Sequence, residues 1–208
     1  MEAYELAVKQ LILHKKHLFI DPKEEATVIF EKSILRGHTI ADCLIFSSDH
    51  LEVGVEIKTA HDTTKRLEKQ LIDYTEVCDY VWLVIHDKQV KSVLSILDND
   101  YFNHVGILTY VTVGDQLMPG IYREATYNWH ASTKKSLDML WSSELRWMAN
   151  TVAHRNGTSI NGYTRKKQYI NYMIRMIGDK PTKAFLCNYL ISHLSAVEKA
   201  ITFYDFTP

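Results

Sequence analysis

The sequence predicts a mixed α/β core followed by an all-helical extension. Three observations carry that expectation. Four apolar runs have strand length and β-branched character: "IADCLIF", "LEVGVEIKT", "YVWLVIH" and "VGILTYVTV". Between the later runs lie segments with helical spacing of apolar residues. After about residue 131 the strand-like runs stop, and the charge changes sign. Residues 1–130 hold 20 acids against 13 Lys and Arg, and residues 131–208 hold 5 against 11. The boundary at 130/131 therefore separates an acidic core from a basic helical extension.

Taken in order, residues 2–18 place Leu6, Leu11, Leu13 and Leu18 on a helical stripe with Val8 and Ile12 between them. "DPKEE" at 21–25 reads as an Asp cap with Pro in the first turn, predicting a short helix or turn up to about Phe30. Ile40–Phe46 and Leu51–Thr59 form a hairpin around "SSDH". A helix follows, capped by Asp62 or Thr63, with Leu67, Leu71 and Tyr74 on one side. "YVWLVIH" is a buried central strand, 88–97 a helix, and 105–113 a strand closed by a turn at "LMPG". Helices are expected over 136–150, 163–177 and 182–201, separated by "HRNGTSING" and "GDKPT".

Composition excludes several classes. A chain that is 46% hydrophobic and 24% charged folds as a globular protein. No apolar run approaches the roughly 18–20 residues of a membrane span, and the N-terminus lacks the features of a signal peptide. Cys43, Cys78 and Cys187 are odd in number and far apart, as expected of reduced thiols in a cytoplasm.

The chemistry concentrates at the end of the second strand of the hairpin. Residues two apart on a strand share a face, so Glu56 and Lys58 stand side by side. Asp42, near the start of the preceding strand, can join them. Two carboxylates beside a lysine suit a hard divalent cation, Mg²⁺ or Mn²⁺, with the carbonyl of Ile57 as a further ligand. The lysine would orient or activate a water or stabilise charge at a phosphate. There is a geometric condition. A plain four-residue loop over "SSDH" pairs 42 with 55 and turns Asp42 away. The site needs an odd loop or a bulge.

"D42…E56-I-K58" resembles the signature of the PD-(D/E)XK nuclease superfamily. "Q70-L-I-D-Y74" is similar to the Gln-x-x-x-Tyr element of its RecB-like exonuclease members. A longer pattern, Glu31, Ala41-Asp42, Glu56-Ile57-Lys58-Thr59, Asp62, Arg66-Leu67, Gln70 and Tyr74, resembles a small phage and bacterial family of nuclease-like proteins. The likeness covers about residues 28–86. It departs at Ala41, where the superfamily signature has Pro, and at Ile40, where the smaller family has Arg.

The resemblance implies a restriction-endonuclease-like core, a mixed central sheet flanked by helices. It implies a metal-dependent deoxyribonuclease with Asp42, Glu56 and Lys58 at its centre. Glu31 would be a further acid, and Gln70 and Tyr74 would steady the phosphate or Lys58. The expected cofactor is Mg²⁺ or Mn²⁺ and the expected partner is DNA, with no membrane association. The helical extension would bind the duplex or pair two subunits. The alternative is a catalytically silent nuclease-like module binding DNA or protein in phage–host conflict.

Other residues admit two readings. Asp62 suits a helix cap as well as a catalytic role, and Arg66 suits a phosphate as well as Asp62 or Asp73. Tyr163, Tyr169 and Tyr172, among the basic residues of the extension, read as core residues or as stacking partners for bases. Trp141, Trp147 and Met148 read as a buried stripe with Leu137, Leu140 and Leu145.

Overall fold

The computed structural model describes residues 2–114 and 116–204, with side chains over 5–114 and 116–193. Six strands form one mixed sheet in sequence order: β1 (Ala26–Ile34), β2 (Thr39–Ser47), β3 (Glu52–Lys58), β4 (Tyr80–His86), β5 (Gly106–Val113) and β6 (Gln116–Arg123). The β1–β2–β3 meander and the β5–β6 hairpin are antiparallel, while β3–β4 and β4–β5 are parallel. The two parallel steps require crossovers, supplied by α2 (Leu67–Val77) and α3 (Val90–Ile96). Both helices lie on one face of the sheet, since Leu67, Leu71 and Tyr74 of α2 and Val93 of α3 share one core.

The sheet thus has two cores. On one face α1 (Glu2–His14) lays Val8 and Ile12 over Cys43, Ile45, Val53, Val55, Trp82 and Val84. On the other, α2 sets Leu67, Leu71, Tyr74 and Val77 against Leu44, Phe46, Leu83 and Ile85. β3 lies between them and is buried along its whole length. That is why its sequence is apolar except where Glu52, Glu56 and Lys58 interrupt it.

The extension consists of α4 (Thr133–Leu137), α5 (Ser142–Arg155), α6 (Lys166–Ile177) and α7 (Asp179–Tyr204). Its Leu137, Met148, Met173, Leu186 and Leu190 belong to the same core as α2 and the central strands. Among the described residues, no helix is long and apolar enough to cross a membrane.

Several local expectations are corrected. "DPKEE" does not start a helix. The Asp21 carboxylate accepts the Lys23 N–H at 2.9 Å in a turn, and the β-branched run after it pairs with β2 as strand β1. Asp before Pro signals a turn as readily as a helix start. Asp62 does not cap α2, which begins at Leu67. Its carboxylate accepts the Thr59 N–H at 2.7 Å and the Thr59 hydroxyl at 2.8 Å, closing the loop after β3. "LMPG" is not a turn but part of β6. Val113 pairs with Gln116, and Gly114, with φ +59°, leads out of β5 between them. Pro119 is tolerated because β6 is an edge strand. Trp141 is not in the core: it caps α5 with 72% of its surface exposed, although Met148 is buried. Tyr169 and Tyr172 are buried, which takes them out of reach of bases.

Candidate active site

The site begins with the register of the β2–β3 hairpin. The ladder pairs Phe46 with Glu52, Ile45 with Val53 and Cys43 with Val55, which sets position 42 opposite 56. Ser47 N–H donates to the Leu51 carbonyl at 3.1 Å, leaving a three-residue loop of Ser48, Asp49 and His50. The loop is odd, as a shared site for Asp42 and Glu56 requires. His50 supplies the left-handed residue, φ +72°, that such loops use at their third position.

Beyond Cys43↔Val55 the ladder opens, and side chains occupy the gap. The Tyr74 hydroxyl accepts the Asp42 N–H at 2.8 Å and donates to the Val55 carbonyl at 3.2 Å. Ile57 N–H donates to Asp42 Oδ2 at 2.8 Å. One buried phenol and one carboxylate thus satisfy backbone groups that would otherwise be orphaned in the core. Asp42 is fixed through both its main chain and its side chain. Tyr74 reaches this position because residue 54 is glycine. A Cβ there would lie 2.4 Å from Tyr74 Cδ1 and 2.7 Å from Cys78 Sγ. Glycine within a strand is the sequence signal for such a close approach, and Gly54 is the site-building residue that motif reading passes over.

Glu56 and Lys58 form an ion pair through Oε1 and Nζ. Glu56 is fully buried and Lys58 nearly so. Burial, with the Asp42 carboxylate next in effect, pushes the Glu56 carboxyl up to about 7 despite the neighbouring ammonium. Burial also raises Asp42 above its usual range, against the Ile57 N–H and Lys58. Glu56 Oε2 is buried, and no hydrogen-bond partner is found for it among the described residues.

The remaining sequence-derived residues separate into those near the cluster and those apart from it. Gln70 lies half-buried one turn before Tyr74, and no hydrogen bond ties its side chain to the acids or to Lys58. The Ile57 side chain is in the opposite core. Glu31 stands apart: its exposed carboxylate takes the Lys9 ammonium at 2.6 Å, and its own backbone is left-handed, φ +53°. Arg66 is exposed and pairs with neither Asp62 nor Asp73. Asp73 instead receives the Thr39 hydroxyl and faces His38 Nδ1 at 3.0 Å, tying α2 to the start of β2. Arg36 pairs with Asp138 at 2.6 Å.

Among the described residues, no three His, Cys, Asp or Glu side chains gather closely enough to hold a metal ion by themselves. Magnesium takes only one or two carboxylates from a protein when water and substrate phosphate complete its shell. Asp42 and Glu56 meet that smaller requirement. The orphaned Glu56 Oε2 is an acceptor that a cation would satisfy.

The family described as Bacteriophage P4 protein cII matches residues 1–200. Among curated proteins no match is found. A solved structure, "SPO1766 protein of unknown function from Silicibacter pomeroyi", aligns with a TM-score of 0.39 at 12% identity, covering 66% of this chain and 86% of that one.

Proposed function

The chain belongs to the bacteriophage P4 protein cII family, and from the geometry of its acid–lysine cluster we propose that it is a metal-dependent nuclease hydrolysing DNA phosphodiester bonds. The observation that carries this reading is the hairpin register, which brings Asp42, opposite Glu56, to the end of β3 where Lys58 pairs with Glu56. The resemblance of "D42…E56-I-K58" and "Q70…Y74" to the PD-(D/E)XK nucleases supports it.

Asp42, Glu56 and the Ile57 carbonyl would hold Mg²⁺ or Mn²⁺. Such an ion, when bound, lowers the pKa of water and neutralises phosphate charge. The chain's own groups have separate tasks. Glu56 must lose its proton before it can serve as a ligand, which ties activity to a group titrating at about 7. Lys58, paired with Glu56, would hold the attacking water and offer positive charge to the phosphate. Tyr74 is a positioning residue: its hydroxyl is committed to the Asp42 N–H and the Val55 carbonyl. Gln70, for which no side-chain hydrogen bond is found among the described residues, would meet a phosphate oxygen.

The test is incubation of supercoiled and linear DNA with the protein in Mg²⁺ or Mn²⁺ and in chelator, beside Lys58→Ala. Metal-dependent cleavage should fall by about 100-fold or more in the variant, in line with loss of an electrostatic or general-base group. Equal cleavage by both proteins would place the reaction elsewhere. A wild-type protein that binds DNA and leaves it intact under every condition would make the fold a silent binding module.

A further inference from the structure

A cavity of 430 Å³ opens where the β1–β2 turn meets the helical extension. Lys32, Ser33 and Arg36 line it from the core, and Asp138, Trp141 and Lys166 from the extension. Three cations stand against one carboxylate, so the cavity is net positive. That carboxylate is engaged by Arg36 at 2.6 Å, and Lys166 Nζ donates to the Asp138 carbonyl at 3.0 Å. No ion pair is found for Lys32 or Lys166 among the described residues. Trp141, the cap of α5, is 72% exposed. An indole left this bare beside cations offers an open face for a flat ring.

The position of the cavity gives it meaning. Lys32 pairs across the sheet with Ala41, the residue before Asp42, so the cavity lies at the same end of the sheet as the acidic cluster. The turn between the strands runs through left-handed backbone at Leu35 (φ +48°), Arg36 (+61°) and Gly37 (+86°). Left-handed backbone at two non-glycine residues in succession is costly and persists where the surroundings impose it. Here the turn carries Arg36 out to Asp138.

We infer that this cavity is a binding subsite for one unpaired DNA nucleotide, its base stacked on Trp141 and its phosphates met by Lys32 and Lys166. The inference rests on the nuclease reading for its choice of DNA. It adds that the substrate carries a single-stranded segment beside the scissile phosphate. In a duplex every base is stacked on its neighbours, and none is free to lie on an exposed indole. The volume falls within the range of small-ligand pockets, enough for a nucleotide and too small for a duplex.

The experiment separates this claim from cleavage by measuring binding alone, in chelator, with the Lys58→Ala protein. Fluorescence anisotropy follows a labelled oligothymidylate and a duplex of equal length. The single strand should bind more tightly than the duplex. Trp141→Ala should weaken it about tenfold, Trp141→Phe much less, since base stacking contributes about 1–3 kcal/mol. Lys166→Ala should reduce the slope of log affinity against log salt by about one. Duplex bound as well as single strand, or Trp141→Ala binding like its parent, would overturn the subsite whatever the cleavage assays show. Absence of binding to either DNA would do the same.

Discussion

At the residue scale the decisive group is Glu56. Its carboxyl rises from 4.5 to about 7 because burial and the Asp42 carboxylate outweigh Lys58. An acid that holds its proton more tightly when folded opposes folding once ionised. Its favourable contribution is full below about 4.5 and is lost as pH rises to about 7. At about 1.4 kcal/mol per unit, the decline amounts to roughly 3 kcal/mol. Denaturant unfolding without metal should show stability falling between about pH 4.5 and pH 7, with a much shallower fall in Glu56→Gln. With metal below saturation, cleavage should move the other way, rising with pH up to about 7 and then levelling, because metal must displace the proton from Glu56. A flat rate profile across that window would remove Glu56 from the site. This carboxylate was legible in the sequence by motif. Its titration was not, because desolvation depends on what packs over it.

At the element scale the critical contact is α2 against β3. The helix lies so close that Tyr74 and Cys78 occupy the space a side chain at 54 would need. Gly54→Ala should cost about 1–3 kcal/mol, the usual penalty of overpacking, read as a lower denaturation midpoint. It should also reduce cleavage, since moving Tyr74 frees the Asp42 N–H and the Val55 carbonyl. Unchanged stability would mean that the helix can slide away without cost. The hairpin, the helix over 67–77 and the central strands were legible because their apolar periods agree with their final environments. The failures share a cause. "DPKEE" and "LMPG" carry residues used by turns, caps and edge strands alike. Only the pairing of β1 with β2 and of β6 with β5 decides between those uses.

At the scale of the whole molecule, one ion network joins the extension to the sheet. Lys183 of α7 reaches Glu52 at 2.8 Å, Asp79 at 3.1 Å and the Ser136 hydroxyl at 3.1 Å. All four residues are buried, and the two carboxylates raise the Lys183 ammonium further above its ordinary value. Removing the cation leaves two acids in the core, so Lys183→Met should destabilise by about 3–5 kcal/mol, measurable by urea unfolding. Glu52→Gln in the same protein should restore part of the loss, since it removes one stranded charge. With this network and the shared apolar core, the extension is bound into the fold. Deleting residues 131–208 would therefore strip α7 from β1 and β2 and could not report on DNA binding alone.

The sequence by itself determined the α/β class, the order of the central elements and the identity of the acid–lysine cluster. All of these are written in local periodicity and short spacing, which depend on neighbours in the chain. Tertiary structure alone decided that Asp42 faces Glu56, that Glu31 turns to Lys9, and that Trp141 is bare beside Lys32 and Lys166. It alone brought Lys183 to Glu52, 131 residues away. The physical reason is the same in each case. Register, burial and charge pairing are set by which surfaces meet, and a surface meets its partner only when the chain has folded.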